Sequence, residues 1–172
     1  MPAPNPAAAA LIARLGLEPL PHEGGYFTRT WTSPEKLPSG RPVGTAIYFL
    51  LTPDDFSALH RLDADELWHF HAGDPVEHVQ LSATPLATPA DFVRLTRLGT
   101  NLDAGEVPQL IVPSGAWQGA RLAENSRVGW ALLSCTMSPG WDETGFELAD
   151  RNTLCAVFPA HFKLISLLTR TN

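Results

Sequence analysis

The chain contains only two cysteines, Cys135 and Cys155, too few for a disulfide framework and without the paired spacing of a metal site. Both are expected to be reduced core residues. A basic excess is also missing: twelve lysines and arginines against eighteen acidic residues leave a formal charge of −6, and the basic residues are scattered, which argues against a nucleic-acid surface. No apolar run approaches the roughly 20 residues that span a bilayer, and the first residues, MPAPNPAAAALIARLG, lack the basic-then-apolar order of a secretory signal. The expectation is a cytoplasmic protein with no membrane partner. No serine sits in a glycine-flanked GxSxG elbow, so a Ser-His-Asp hydrolase is not expected. Gly24-Gly25 opens onto a strand-like segment instead of a helix, which removes the phosphate-loop and dinucleotide readings.

What the chain has in quantity is punctuation. Sixteen prolines and thirteen glycines in 172 residues exceed the usual share of about 12% and separate short apolar runs, the pattern of many short strands joined by turns. Strands are expected over 25–31, 44–51, 58–62, 67–71, 76–82, 92–98, 109–112 and 128–137. Asn5-Pro6 before AAAALIARLG reads as a capped helix ended by Gly16, and 150–158 and 162–168, parted by Pro159, read as two short closing helices. In the mixed run VEHVQL, His78 is expected at the surface or rim. No linker, repeat or low-complexity block divides the chain, so a single domain over 1–172 is expected, with a barrel at about 20–148 and the terminal helices outside it.

The stretch ADELWHFHAGDP (64–75) looks like a metal site, yet strand alternation separates its parts. Glu66, Trp68 and Phe70 share one face, while Leu67, His69 and His71 share the other. Further on, PSGAWQ (113–118) spaces a proline, a glycine and a polar side chain. Together with EGGYFTRTW (23–31), TAIYFLL (45–51), HRLDADELWHFHAGDP (60–75), VPSGAWQGA (112–120) and SCTMSPGWDETGFEL (134–148), these stretches resemble, in order, the signature blocks of the cupin family 5, formerly DUF985.

That resemblance implies a mainly β fold, a double-stranded β-helix or jelly-roll barrel with a pocket between two sheets, paired into a homodimer. It implies little about reaction. Metal-binding cupins use two histidines and a glutamate from the first motif and a histidine from the second. Here Glu66 takes the glutamate position and His60 is the one upstream histidine, separated from it by five residues. Gln118 replaces the second-motif histidine with a weaker amide ligand. No cofactor is therefore expected; a divalent metal on His60, Glu66 and Gln118 is the alternative.

With Glu66 inward, His69 and His71 fall outside, where hydrogen-bonded structural residues are expected; a surface zinc bridged by the two, with ligands from elsewhere, is the alternative. His60 and Glu66 are the candidate catalytic pair, His60 as general base and Glu66 fixing its tautomer. A buried pair that only organises the barrel is the other reading. Gln118, Trp68, Phe70 and Trp130 are candidate ligand contacts, with Tyr26, Arg29 and Tyr48 from the earlier blocks. Alternation sets Arg29 against Tyr26, and the sequence leaves open which of the two faces the pocket. The function expected is a small-molecule-binding cupin with epimerase- or isomerase-like proton transfer on a polar or sugar-derived substrate. A metal-dependent oxygenase or isomerase and a noncatalytic binding or sensor protein are the alternatives. The outer stripe of Leu67, His69 and His71 is expected to be covered by a second copy of the chain, or within one chain by Leu11, Ile12 and Leu15 of the first helix.

Overall fold

A computed structural model describes residues 5–82, 93–124 and 126–170. Helix α1 (Pro6–Leu15) forms as its end signals require. The Asn5 side chain accepts the Ala8 N–H at 2.9 Å, Pro6 sits where no N–H is needed, and Gly16 closes the helix at a left-handed φ of 62°. Eleven strands follow among the described residues: β1 (Glu18–Pro19), β2 (Tyr26–Thr32), β3 (Thr45–Leu51), β4 (Ser57–Leu62), β5 (Glu66–Gly73), β6 (Val76–Leu81), β7 (Val93–Leu98), β8 (Gln109–Val112), β9 (Trp117–Leu122), β10 (Ala131–Met137) and β11 (Phe146–Leu148). Helices α2 (Arg151–Val157) and α3 (Phe162–Leu167) end the chain.

The strands pair antiparallel into a six-stranded sheet, β1-β2-β3-β10-β5-β8, and a five-stranded sheet, β11-β4-β9-β6-β7. From β3 to β6, and again from β7 to β11, the chain changes sheet at every step. That alternation winds the double-stranded β-helix the sequence led us to expect. Phe49, Leu51, Trp68, Val76, Leu98 and Leu133 fill the space between the sheets with a buried apolar core. On the outer face of the five-stranded sheet Leu59, Val79 and Leu81 are buried against Leu154 and Phe158 near α2 and Ile165 and Leu168 near α3.

Three differences from the sequence reading have physical causes. The helices cover the outside of β6 while the barrel covers its inside, so His78 is fully buried instead of lying at the surface or rim. Its ring meets Trp68 edge-on at 4.8 Å, and burial pushes its pKa down to about 3, which keeps it neutral. Strand β9, WQGARL, carries no β-branched residue and escapes a propensity reading. Gly119 fits there because a Cβ would stand 3.0 Å from the Ser57 carbonyl oxygen, beside the bulge between β4 and β9. The strand expected from residue 128 begins at Ala131, because the buried Asp74 carboxylate accepts the N–H groups of Arg127, Val128 and Gly129 and bends that backbone out of the ladder. Phe92, expected to start a strand, lies outside the described residues.

Candidate active site

Directly opposed residues of paired strands share a face, so register decides which side chains meet inside the barrel. In the six-stranded sheet Arg29 opposes Ile47, Ile47 opposes Cys135 and Cys135 opposes Trp68. In another row Thr45 opposes Met137, and Met137 opposes Glu66. Across from these, His60 opposes Gln118 and Gln118 opposes Gln80. Between the two sheets lies a cavity of about 360 Å³. Its lining is mostly apolar, with Leu20, Phe27, Ile47, Leu62, Met137 and Phe146 as walls, and Glu23, Arg29, Glu66, Glu143 and the imidazoles of His22 and His60 supply the ionisable groups.

The structure thus brings His60, Glu66, Trp68 and Arg29 to one cavity. Gln118 stands fully buried behind them, bonded to both Glu66 and Trp68. Phe70 packs against the core without lining the cavity, and Trp130 is half-buried over Gly73, where a Cβ would stand 2.8 Å from its ring. Between Tyr26 and Arg29 the register chooses Arg29. Phe27 and Arg29 point inward, and the bulge comes only after Arg29, turning Trp31 outward beside Ala46. Tyr26 takes the outer side, as does Tyr48, whose ring meets His71 edge-on at 6.1 Å. His69 and His71 lie on that same outer face. Gln109 Nε2 donates to His69 Nδ1 at 3.0 Å, leaving the His69 Nε2–H to face Thr136 Oγ1 at 3.3 Å, while His71 Nε2 lies 2.9 Å from Ser134 Oγ.

His60 is buried, and its Nδ1 lies 2.8 Å from the Ala58 carbonyl oxygen, which accepts only from an N–H. In its neutral form the ring carries its proton on Nδ1 and a lone pair on Nε2, and Nε2 makes no hydrogen bond among the described residues. This tautomer is set by Ala58, with Glu23 Oε1 at 4.0 Å from the same nitrogen; Glu66, expected to fix it, does not bond to the ring. Phe146 stacks on the imidazole at 5.4 Å and holds its plane. Glu66 uses one oxygen: Oε2 accepts Gln118 Nε2–H at 2.7 Å and Trp68 Nε1–H at 3.0 Å. The Trp68 N–H is shared with Gln118 Oε1 at 2.9 Å. Burial, aided by the charge of Glu23, lifts the Glu66 pKa to about 7 against the opposing pull of His60 and the two N–H donors.

Glu23 is the member of the site that sequence reasoning placed in a matching block without giving it a role. The signal was the pair of glycines after it. Gly24 and Gly25, at φ 103° and 71°, make a turn that folds Glu23 back toward β4, where Ser57 Oγ donates to its Oε1 at 2.7 Å. Trp141 and Phe146, from the last block, were likewise not assigned to the cavity they line.

Gln118 turns its amide nitrogen to Glu66 and its oxygen to Trp68, and Glu66 Oε2 already accepts two N–H groups, so these atoms are engaged with one another. Among the described residues no group of three or more histidine, cysteine, aspartate or glutamate side chains is arranged to hold an ion. Cys135 lies in the lining, but burial holds its thiol well above the usual range and keeps it protonated.

Glu66 couples the site to stability. Its proton is held more tightly in the folded chain than in the unfolded one, so its stabilising contribution is complete below about pH 4.5 and is lost as pH rises through about 7. Relative to Glu66→Gln, the native protein is expected to lose up to about 3 kcal/mol between pH 4.5 and 8. Urea denaturation of both proteins at the two pH values checks this. A difference that does not change with pH would contradict it.

A two-sheet β-helix enclosing a mostly apolar cavity, with His22, His60, Glu23, Glu66 and Glu143 in its lining, defines a cupin barrel as the class. The chain belongs to the family described as Cupin superfamily (DUF985), whose model matches residues 9–149. A hypothetical protein from Leishmania major is 35% identical, with a TM-score of 0.87 over 95% of this chain and 99% of that one. Protein SO0799 from Shewanella oneidensis is 33% identical, with a TM-score of 0.85 over 96% and 98%. The uncharacterized protein YML079W of Saccharomyces cerevisiae is 28% identical over 70% of this chain, and the match spans 64% of the yeast protein's length. A dTDP sugar isomerase from Desulfovibrio desulfuricans shares the fold alone, at 17% identity and a TM-score of 0.52 over 78% of this chain and 80% of that one.

Proposed function

We propose that the cavity binds a small carbonyl compound with an apolar body and that His60 moves a proton on it, an epimerase- or isomerase-like reaction that needs no metal. The observation that carries this reading is the pairing, in one cavity, of a histidine with its Nε2 lone pair free and a buried carboxyl poised near pH 7. Nε2 takes the proton from the carbon next to the carbonyl. Glu66, protonated at or below neutral pH, donates a hydrogen bond from its unbonded oxygen to the carbonyl as charge develops there. Returning the proton on the same face to a neighbouring carbon shifts the double bond; inversion at the first carbon takes its proton from a second acid on the opposite face.

Size and charge narrow the substrate. At about 360 Å³ the cavity is near the lower end of the range of roughly 300–1,000 Å³ for small-molecule sites. Among the described residues Arg29 is the single lysine or arginine in the lining, against Glu23, Glu66 and Glu143. A diphosphate-bearing nucleotide sugar suits such a site poorly, whereas a compact metabolite suits it well. Mass spectrometry of the small molecule released on denaturing untagged protein tests this: an enolisable compound without phosphates is expected, and a nucleotide sugar would contradict it. Elemental analysis of the same sample is expected to find metal well below one ion per chain. Iron, manganese, nickel or zinc at one per chain, lost in His60→Ala or Gln118→Ala, would overturn the metal-free reading.

We also propose that the protein pairs with itself through the outer face of the six-stranded sheet. One row across that face runs Trp31, Ala46, Thr136, Leu67 and Ile111, without a charge, and both Trp31 and Ile111 are about half exposed. An uncharged, partly apolar face is better covered than wet, and a two-fold axis covers it with its own copy. Light scattering at micromolar concentration is expected to give twice the chain mass for the native protein and the chain mass for a folded Leu67→Asp variant. A monomeric native protein, or a variant that stays dimeric, would contradict this.

A further inference from the structure

Near the end of the chain, two residues beyond the buried Leu168, Arg170 reaches back across the molecule to the turn that carries Glu23. Its Nε donates to the His22 carbonyl at 3.1 Å, and its second terminal nitrogen lies 2.9 Å from the Glu23 carbonyl, 2.7 Å from Asp55 Oδ1 and 3.2 Å from the Phe56 carbonyl. The guanidinium is laid over the Phe56 ring at 4.6 Å. Asp55, buried, completes the connection by accepting the Gly25 N–H at 2.7 Å. Residues 22, 23 and 25 of one turn are thus tied to a single arginine–aspartate pair.

The local backbone is built around this contact. His22 is the one non-glycine at positive φ among the described residues, 65°, a conformation that costs free energy and persists when its surroundings hold it. Gly24 has no room for a side chain: a Cβ would stand 2.0 Å from the Arg170 nitrogen and 2.4 Å from the Phe56 carbonyl. The segment so held lines the cavity with His22 and Glu23, and Glu23 is the carboxylate beside His60 Nδ1.

We infer that Arg170 is a positioning residue for the site: it clamps the 22–25 turn so that Glu23 is presented to Ser57, His60 and Glu66. The inference rests on the proposed acid–base role of that cluster. A carboxylate on a two-glycine turn would otherwise sample many orientations, and the planar guanidinium fork fixes backbone carbonyls and a carboxylate at once. Arg151, by contrast, ties the same C-terminal segment to Thr169 through its side-chain hydroxyl and backbone carbonyl without touching the turn.

The groups around Glu66 that carry or exchange charge are Glu23, His60 and Cys135, so its titration reports where Glu23 is. The test is a carbon-13 NMR titration of the Glu66 carboxyl in the full chain. Glu23→Gln is expected to lower the midpoint by about one unit, as loss of a neighbouring like charge does. Arg170→Ala is expected to lower it most of that way, and Arg170→Lys, which keeps a charge for Asp55 but loses the fork, part of the way; Arg151→Ala is expected to leave it in place. If Arg170→Ala does not fold, Arg170→Lys decides. A midpoint that moves in Glu23→Gln but not in the folded Arg170 variants overturns the positioning role, as does an equal movement in Arg151→Ala. Failure of the proton-transfer reading shows separately, as unchanged substrate exchange in Glu23→Gln and His60→Gln.

Discussion

Replacement of His60 by glutamine is expected to slow proton exchange on the bound substrate by about 10²–10⁴-fold, the range a positioned general base contributes. Glutamine keeps a donor near the Ala58 carbonyl and much of the contact with Phe146, so the barrel and the cavity shape are retained. What it removes is the Nε2 lone pair. Binding of a substrate analogue is therefore expected to change only a few-fold, and the loss falls on the turnover rate, the signature of an interaction made in the transition state. Equal losses of binding and rate would instead assign His60 to holding the ligand, the role it would have in a noncatalytic binding protein.

The second large effect is on folding. Trp68→Ala is expected to destabilise the protein by about 5 kcal/mol, measured by urea denaturation. Truncating a buried tryptophan costs about 3–5 kcal/mol, and stranding a buried acceptor adds about 1–3 kcal/mol. Trp68 is 1% exposed, packs edge-on against Phe49 at 5.6 Å and His78 at 4.8 Å, and its N–H serves both Glu66 and Gln118. A total of that size is a large part of the roughly 5–15 kcal/mol that holds an ordinary domain together. Trp68→Phe keeps most of the packing and loses the shared N–H, so it is expected to cost about 1–3 kcal/mol. If the two variants were equally destabilised, the hydrogen bonds of Trp68 would outweigh its packing, contrary to this account.

The sequence was informative where chemistry and backbone coincide. Asn5, Pro6 and Gly16 marked both ends of α1, and alternation along ELWHFH separated Glu66 and Trp68 from His69 and His71 as the structure does. Arg29 or Tyr26 could not be chosen from the sequence, since the answer depends on whether the bulge in β2 comes before or after residue 29. His78 read as a surface residue because VEHVQL alternates weakly; what buries it is helices some 75 residues away packing outside β6. Glu23, named in a matching block, was given no role for a similar reason. Its place depends on a turn of two glycines and on Arg170, nearly 150 residues downstream, and no local pattern carries that contact. The partner that sets the His60 tautomer is a backbone carbonyl, which no residue pattern announces.

Proton transfer at one cavity is tested most directly by deuterium incorporation from heavy water into small enolisable carbonyl compounds incubated with the native protein. Protein-dependent exchange at a single carbon, one hydrogen per site, abolished in His60→Gln and weakened in Glu66→Gln, is the predicted result. Compounds that bind in the cavity yet exchange no faster than in buffer, or exchange that persists unchanged in both variants, would contradict it.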